Sequence, residues 1–225
     1  MTVIAFDVNE TLLDLRALDP LFTETFGDAA LRPQWFAQML QLSFVGGLTG
    51  RYVNFTDAQY AALEMLATRT GADLPAGWAD LIVGAMSELP PHPEVPAALA
   101  RLRSSGVTMV ALTNSVQTVA ESQLSFAAIR DQFDAVVSAD SVRRLKPAPE
   151  PYQAVAGRFG VEISDVRLVA AHAWDVSGAL AAGCRAALVR RPGVVASPIG
   201  SQPDVVGTNL SEVVDRLLPL LTGPR

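Results

Sequence analysis

Short apolar runs alternate with amphipathic stretches over most of this chain. Residues 3–6 (Val-Ile-Ala-Phe), 108–112, 133–137, 167–171 and 185–189 are near-continuous apolar runs of four or five residues. Such runs predict strands buried on both faces of a parallel sheet. Between them, 94–105, 116–126, 149–159 and a stretch reaching Ala182 carry apolar residues at helical spacing, with Pro149 suited to a first helical turn and Gly183 to a helix end. A last helix is predicted over 210–221. Repeated strand–helix units predict an α/β fold with a doubly wound parallel sheet. Residues 17–89 break this rhythm. Apolar positions at 35–45, 57–70 and 78–89 recur at helical spacing, punctuated by Pro20, Pro33 and Pro75 and by breaks at Gly46-Gly47 and Gly71. No strand is predicted there, and Pro90-Pro91 ends the segment.

Composition narrows the class. Half of the 225 residues are hydrophobic, enough for a sizeable core. A net charge of −6 argues against a nucleic-acid partner, which needs a basic face. The single cysteine, Cys184, excludes an internal disulfide network and reads as a small buried residue. The chain opens directly on a strand, with no basic leader and no apolar run long enough to span a membrane. A cytoplasmic location without membrane attachment is the expectation.

Candidate chemistry gathers at strand ends. Asp7 follows the first apolar run, at the sheet edge where open α/β folds place ligands. Asn9 and Thr11 make the next turn polar. Alone, Asp7 could equally cap a helix. Thr113-Asn114-Ser115 follows the second run, Lys146 precedes Pro147, and His172-Ala173-Trp174-Asp175 follows the run at 167–171. Nucleophile, hydroxyl, lysine and acid in this order resemble the four motifs of the haloacid dehalogenase superfamily. Gly50 to Phe55 and Ala171 to Asp175 make the chain most similar to its L-2-haloacid dehalogenase (type II) branch. The resemblance implies a Rossmann-like core over 1–15 and 91–225, with an all-helical cap domain inserted at 16–90.

It also implies roles. Asp7 is the expected nucleophile, forming a covalent ester. Lys146 keeps it ionised, and Thr113 and Asn114 donate to a substrate anion. Asp175 orients Lys146, polarises water or holds a metal, and Thr11 braces the loop. Asn9, Thr11, Trp35, Phe36, Phe55, Tyr152, His172 and Trp174 join Asn114 in the expected substrate-binding set. The expected partner is a small molecule, a short carboxylic acid, with room left for a homodimer.

Departures from the pattern decide between reactions. Phosphatases of the superfamily carry a second aspartate two residues after the nucleophile, which protonates the leaving alcohol. Asn9 cannot, whereas a halide leaves without a proton. Asp175 is the only acid in its loop, a poor start for a site holding Mg²⁺. No cofactor and no metal are therefore expected, with Mg²⁺ required only if the phosphatase alternative holds. Within the type II branch, the arginine that binds the departing halide is here Phe36, and the loop asparagine is His172. Arg32, Arg51 or His172 are the candidates to restore positive charge. Hydrolytic dehalogenation of short 2-haloalkanoic acids is the leading expectation. Another displacement at carbon or phosphorus, such as strained-ring opening or Mg²⁺-dependent phosphate release, and a non-catalytic binding descendant are the alternatives.

Overall fold

The computed structural model describes residues 1–222. Its elements run β1 (Val3–Phe6), α1 (Asp19–Phe26), α2 (Leu31–Thr49), α3 (Phe55–Thr70), α4 (Trp78–Ala85), α5 (Val95–Arg103), β2 (Thr108–Thr113), α6 (Gln117–Phe126), β3 (Ala135–Ser138), α7 (Pro149–Phe159), β4 (Val166–Ala170), α8 (Ala173–Ala181), β5 (Arg185–Val189), β6 (Val205–Gly207) and α9 (Leu210–Thr222). All strands pair in parallel, in the order β3-β2-β1-β4-β5-β6. The chain adds β2 and β3 on one side of β1, then crosses back to add β4, β5 and β6 on the other. This reversal puts a topological switch point between β1 and β4, whose carboxyl ends open a crevice for ligands.

Side chains of each strand alternate between two cores. Ile4, Phe6, Met109 and Ala111 face one layer, which includes α5, α6 and α9 and continues into the helical insert through Trp35, Met39 and Leu63. Val3, Ala5, Val110 and Leu112 face the other, closed by Tyr152 and Val155 of α7 and Val176 and Ala179 of α8. Burial on both sides explains why these strands read as unbroken apolar runs.

The helical cap is inserted between β1 and β2. Its entry and exit run side by side, as the Asp14 N–H donates to the Pro90 carbonyl at 2.8 Å and the His92 N–H to the Leu12 carbonyl at 2.9 Å. Three details differ from the sequence expectations. Pro20 lies in the first turn of α1, a helix not anticipated, where its missing N–H costs nothing. Helix α2 runs through Gly46-Gly47 instead of breaking. There a Cβ on Gly46 would stand 2.7 Å from the Arg51 carbonyl oxygen, so the glycine serves the close return of the chain. The short edge strand β6 was also not anticipated, three residues being too few for a periodic signal.

Helix α8 packs hard against the loop carrying Lys146. A Cβ on Gly178 would lie 2.5 Å from Pro147 Cβ and 2.8 Å from its carbonyl oxygen. Gly178→Ala should therefore force helix and loop apart and cost about 1–3 kcal/mol. Gly157 of α7 has nothing within 4 Å of the same position, so Gly157→Ala should gain up to about 1 kcal/mol from helix propensity. Urea unfolding checks both, with the midpoint falling for the first and rising for the second. An unchanged Gly178→Ala midpoint would mean that this contact yields freely.

Candidate active site

Strand β1 delivers Asp7 to the switch point, where its N–H continues the ladder to the Val169 carbonyl at 3.0 Å. Thr11 Oγ1 donates to Asp7 Oδ2 at 2.6 Å and accepts from the Ala171 N–H at 2.8 Å. One hydroxyl thus ties the turn after β1 to the loop after β4.

Lys146 is 1 % exposed, and its ammonium has three acceptors: Asp7 Oδ1 at 2.8 Å, Asp175 Oδ2 at 2.6 Å and the Leu112 carbonyl at 2.9 Å. An ammonium has three protons, so its donors are fully used. Asp175, fully buried, has its other oxygen taken by the Tyr152 hydroxyl at 2.5 Å. The lysine loop is clamped by Asn114, whose Oδ1 accepts from the Lys146 N–H at 2.8 Å and whose Nδ2 donates to the Lys146 carbonyl at 3.2 Å.

Electrostatics follow from these contacts. Burial alone would raise the Asp7 carboxyl, but Lys146 and His172 outweigh it and hold it well below the usual carboxylate range. Burial raises Asp175, aided by the charge on Asp7 and opposed by Lys146. Burial would lower Lys146, yet its two carboxylates raise it. Asp7 is thus an ionised carboxylate held in a dry place, the state a nucleophile needs.

On the other side of Asp7 stands His172. Its Nδ1 lies 3.1 Å from Asp7 Oδ2 and its Nε2 2.8 Å from Glu10 Oε2. The ring is stacked between Phe36 and Trp174, with centroids at 5.6 Å and 5.2 Å. Burial alone would lower its pKa, but the bonds to Asp7 and Glu10 raise it to about 9, so the imidazolium persists at neutral pH. Of the three candidate cations, His172 lines the cavity beside Asp7, whereas Arg32 turns to Asp19 at 2.5 Å and to Glu10 at 3.5 Å. Arg51 is exposed and outside the cavity lining.

The cavity in front of Asp7 measures about 10 Å³, near the limit for a single water. Phe36, Phe55, Asn9, Thr113, Asn114, His172 and Trp174 all line it. Thr113 Oγ1 accepts from the Ser115 N–H at 3.1 Å, leaving its own O–H to donate. The Trp174 indole N–H is buried without a partner. Asn9 donates to Ser115 Oγ at 3.3 Å and accepts from Gln123 at 2.9 Å. A larger cavity of about 700 Å³ lies at the opposite, amino end of the strands, between Met1, Thr108 and Arg185, remote from this chemistry.

Three expected substrate contacts sit elsewhere. Trp35 lies fully buried outside the lining, donating from Nε1 to the Gln59 carbonyl at 3.0 Å and packing on Phe22. Tyr152 supports Asp175 from behind, and Thr11 faces Asp7 and Ala171. Asn114 lines the cavity, with its Oδ1 and one Nδ2 proton engaged by the Lys146 backbone. Glu10 and Gln123 were missed, and Ser115 was noted without a role. Glu10 left one signal, a second carboxylate three residues after Asp7, but its partner lies 162 residues away. Cys184 is buried, and burial pushes its thiol up to about 12, which removes it from nucleophilic chemistry.

Comparisons with known proteins identify what the chain resembles. A family model described as haloacid dehalogenase-like hydrolase matches residues 1–183. The (S)-2-haloacid dehalogenase of Pseudomonas sp. (strain YL) is 31% identical over 214 residues, covering 94% of this chain and 92% of that protein. Haloacetate dehalogenase H-2 of Moraxella sp. (strain B) is 28% identical over 203 residues, 89% of this chain and 91% of that protein. Among solved structures, the L-2-haloacid dehalogenase of Xanthobacter autotrophicus with chloropropionic acid covalently bound superposes with a TM-score of 0.89, covering 96% of this chain and 98% of that one. At 23% identity that likeness speaks to the fold. The chain belongs to the haloacid dehalogenase-like hydrolases.

Proposed function

We propose that this hydrolase dehalogenates short (S)-2-haloalkanoic acids, with Asp7 as the nucleophile. The carrying observation is the ionised Asp7 carboxylate, fixed by Lys146 at the mouth of the β1–β4 crevice and facing a cavity beside an imidazolium. Asp7 displaces halide at C2 with inversion, and water then attacks the ester carbonyl to release the 2-hydroxy acid. The Thr113 hydroxyl and the unpartnered Trp174 indole N–H are the donors for the substrate's anionic groups. Phe36 and Phe55 supply the apolar wall. A haloacid far exceeds the present cavity, so binding requires the cap side to move.

Related substrates are named for two relatives, an (S)-2-haloacid for one and a haloacetate for the other. Asn9 supports displacement of a halide over phosphate-ester hydrolysis, since its amide has no acidic proton and is tied to Ser115 and Gln123. The residues present do not fit Mg²⁺. The Lys146 ammonium already bridges Asp7 and Asp175, and among the described residues no group of three or more His, Cys, Asp or Glu converges to hold a metal.

Two further readings accompany this one. Core and cap are taken to divide at 1–15 with 91–225 and 16–90, supported by the paired bonds at Asp14–Pro90 and Leu12–His92. A reducing, cytoplasmic setting is supported by the single unpaired Cys184. Among the described residues no helix is long and apolar enough to cross a membrane.

Single turnover of 2-chloropropionate in ¹⁸O-water should place the label in the Asp7 carboxylate, read by peptide mass spectrometry. Label found only in lactate would exclude attack by Asp7. Dialysis against EDTA should leave chloride release unchanged. A large loss restored by Mg²⁺ would overturn the metal-free mechanism.

A further inference from the structure

The ester on Asp7 needs a base to activate water, and the obvious carboxylate is not free. Both oxygens of Asp175 are engaged, by Lys146 and Tyr152, and the residue has no exposed surface from which to reach a water. Lys146 is likewise saturated. His172 remains, with its Nδ1 directed at Asp7 and its Nε2 at Glu10. The Phe36 and Trp174 rings both stack on the imidazole, at 5.6 Å and 5.2 Å between centroids, and hold its plane in this closed arrangement.

Glu10 is held as firmly. Its carbonyl accepts from His92 Nε2 at 3.0 Å, and its second carboxylate oxygen lies 3.5 Å from Arg32. Its backbone sits at φ +60°, a region that favours glycine. A glutamate kept there, against its backbone preference, turns its carboxylate back to His172. An outlier beside a reacting group invites a functional reading.

We propose that Glu10 and His172 form a dyad for the second half-reaction, with His172 as the base that activates water against the Asp7 ester and Glu10 as the residue that positions it. This rests on Asp7 being the nucleophile. In the first half-reaction an Asp7 oxygen bonds to C2, the C2–halogen bond breaks, and the halide leaves with the electron pair. Asp7 loses its negative charge, so the Nδ1 proton loses its anionic partner and departs to solvent. Water then bonds to Asp7 Cγ and gives one proton to Nδ1. The tetrahedral intermediate breaks its Cγ–O bond to the substrate, and His172 returns that proton to the alkoxide, completing the hydroxyl group. The new Asp7 carboxylic acid passes its remaining proton to His172 and restores the ion pair. One water is consumed, and one halide and one proton are released per turnover.

Charged groups around the ring agree with this cycle. Asp7 and Glu10 touch it, Arg32 acts through Glu10, Lys146 and Asp175 stand beyond Asp7, and Phe36 and Trp174 are uncharged. In the resting enzyme burial is outweighed by the two carboxylates and the imidazole pKa is raised to about 9. A raised pKa contributes stability that is full below the ordinary histidine value of about 6.5 and is lost as pH rises through about 9. The unfolding midpoint should fall across that window in the wild type and stay flatter in His172→Asn.

Rapid mixing with excess 2-chloropropionate tests the dyad. Glu10→Gln and Glu10→Gly should each keep a chloride burst near one equivalent while the covalent Asp7 adduct accumulates by intact-protein mass. Steady-state turnover should drop by about 10²-fold or more, the usual scale for a lost general base. In the wild type an indicator dye should report one proton released with the chloride, ahead of lactate. Glu10→Gly suits the left-handed backbone and guards against a mere folding defect. Wild-type turnover without adduct in both Glu10 variants would overturn the dyad, as would loss of the burst itself in both. If the wild-type Asp7 carries no ¹⁸O, the nucleophile reading has failed and the dyad falls with it. Labelled Asp7 with no adduct in the variants overturns the dyad alone.

Discussion

The ammonium of Lys146, buried between Asp7 and Asp175, is the constraint on which the rest of the site depends. A charge taken out of water is costly unless it is paired and all its donors are met, and removing one partner of such a buried pair costs about 3–5 kcal/mol. Here each proton has an acceptor, and each acceptor comes from a different part of the chain: the end of β1, the end of β2 and the start of α8. The surroundings exist to keep that geometry. Asn114 grips the lysine backbone from both sides, Tyr152 fills the remaining oxygen of Asp175, and Gly178 lets α8 approach Pro147 more closely than any side chain permits. The same contacts that satisfy the lysine hold Asp7 ionised.

From that centre the charges alternate outward. Lys146 meets Asp7, Asp7 meets His172, His172 meets Glu10, Glu10 meets Arg32, and Arg32 meets Asp19. The inner end of this series belongs to the sheet edge and the outer end to the cap, where α2 contributes both Arg32 and the Phe36 ring stacked on His172. Any movement of α2 that admits a substrate therefore also disturbs the imidazole. Asp7 stands between two cations of different kinds. One has no free donor, so it can only hold the carboxylate. The other bonds a carboxylate through each ring nitrogen, and in the proposed mechanism it exchanges its proton once Asp7 is alkylated.

Much of this was legible along the chain. Unbroken apolar runs located β1, β2, β4 and β5, because burial on both faces removes the polar alternation of a surface strand. Asp7, Thr113 and Asp175 stood out because they lie at or just beyond the ends of such runs and Lys146 because it precedes a proline turn, and their order resembled a known family. Asn9 could be read as a barrier to acid catalysis from its side chain alone. Helix α1 was obscured by Pro20, which reads as a breaker but sits harmlessly in a first turn, and β6 was too short to show a period.

The sequence by itself determined the local elements, the doubly wound class and the residues at the carboxyl ends of the strands, because these depend on periodicity and on neighbours a few positions apart. Only the tertiary structure decided who meets whom. The strand order set β1 beside β4 and brought His172 to Asp7 and Glu10, across 165 and 162 residues. It also moved Trp35 and Tyr152 from expected substrate contacts to supports behind the site, and turned the Asn114 amide onto the Lys146 backbone. Hydrogen-bond partners separated by more than a hundred residues leave no trace in local pattern. They are chosen by which strands become neighbours and by the requirement that every buried polar group find a partner.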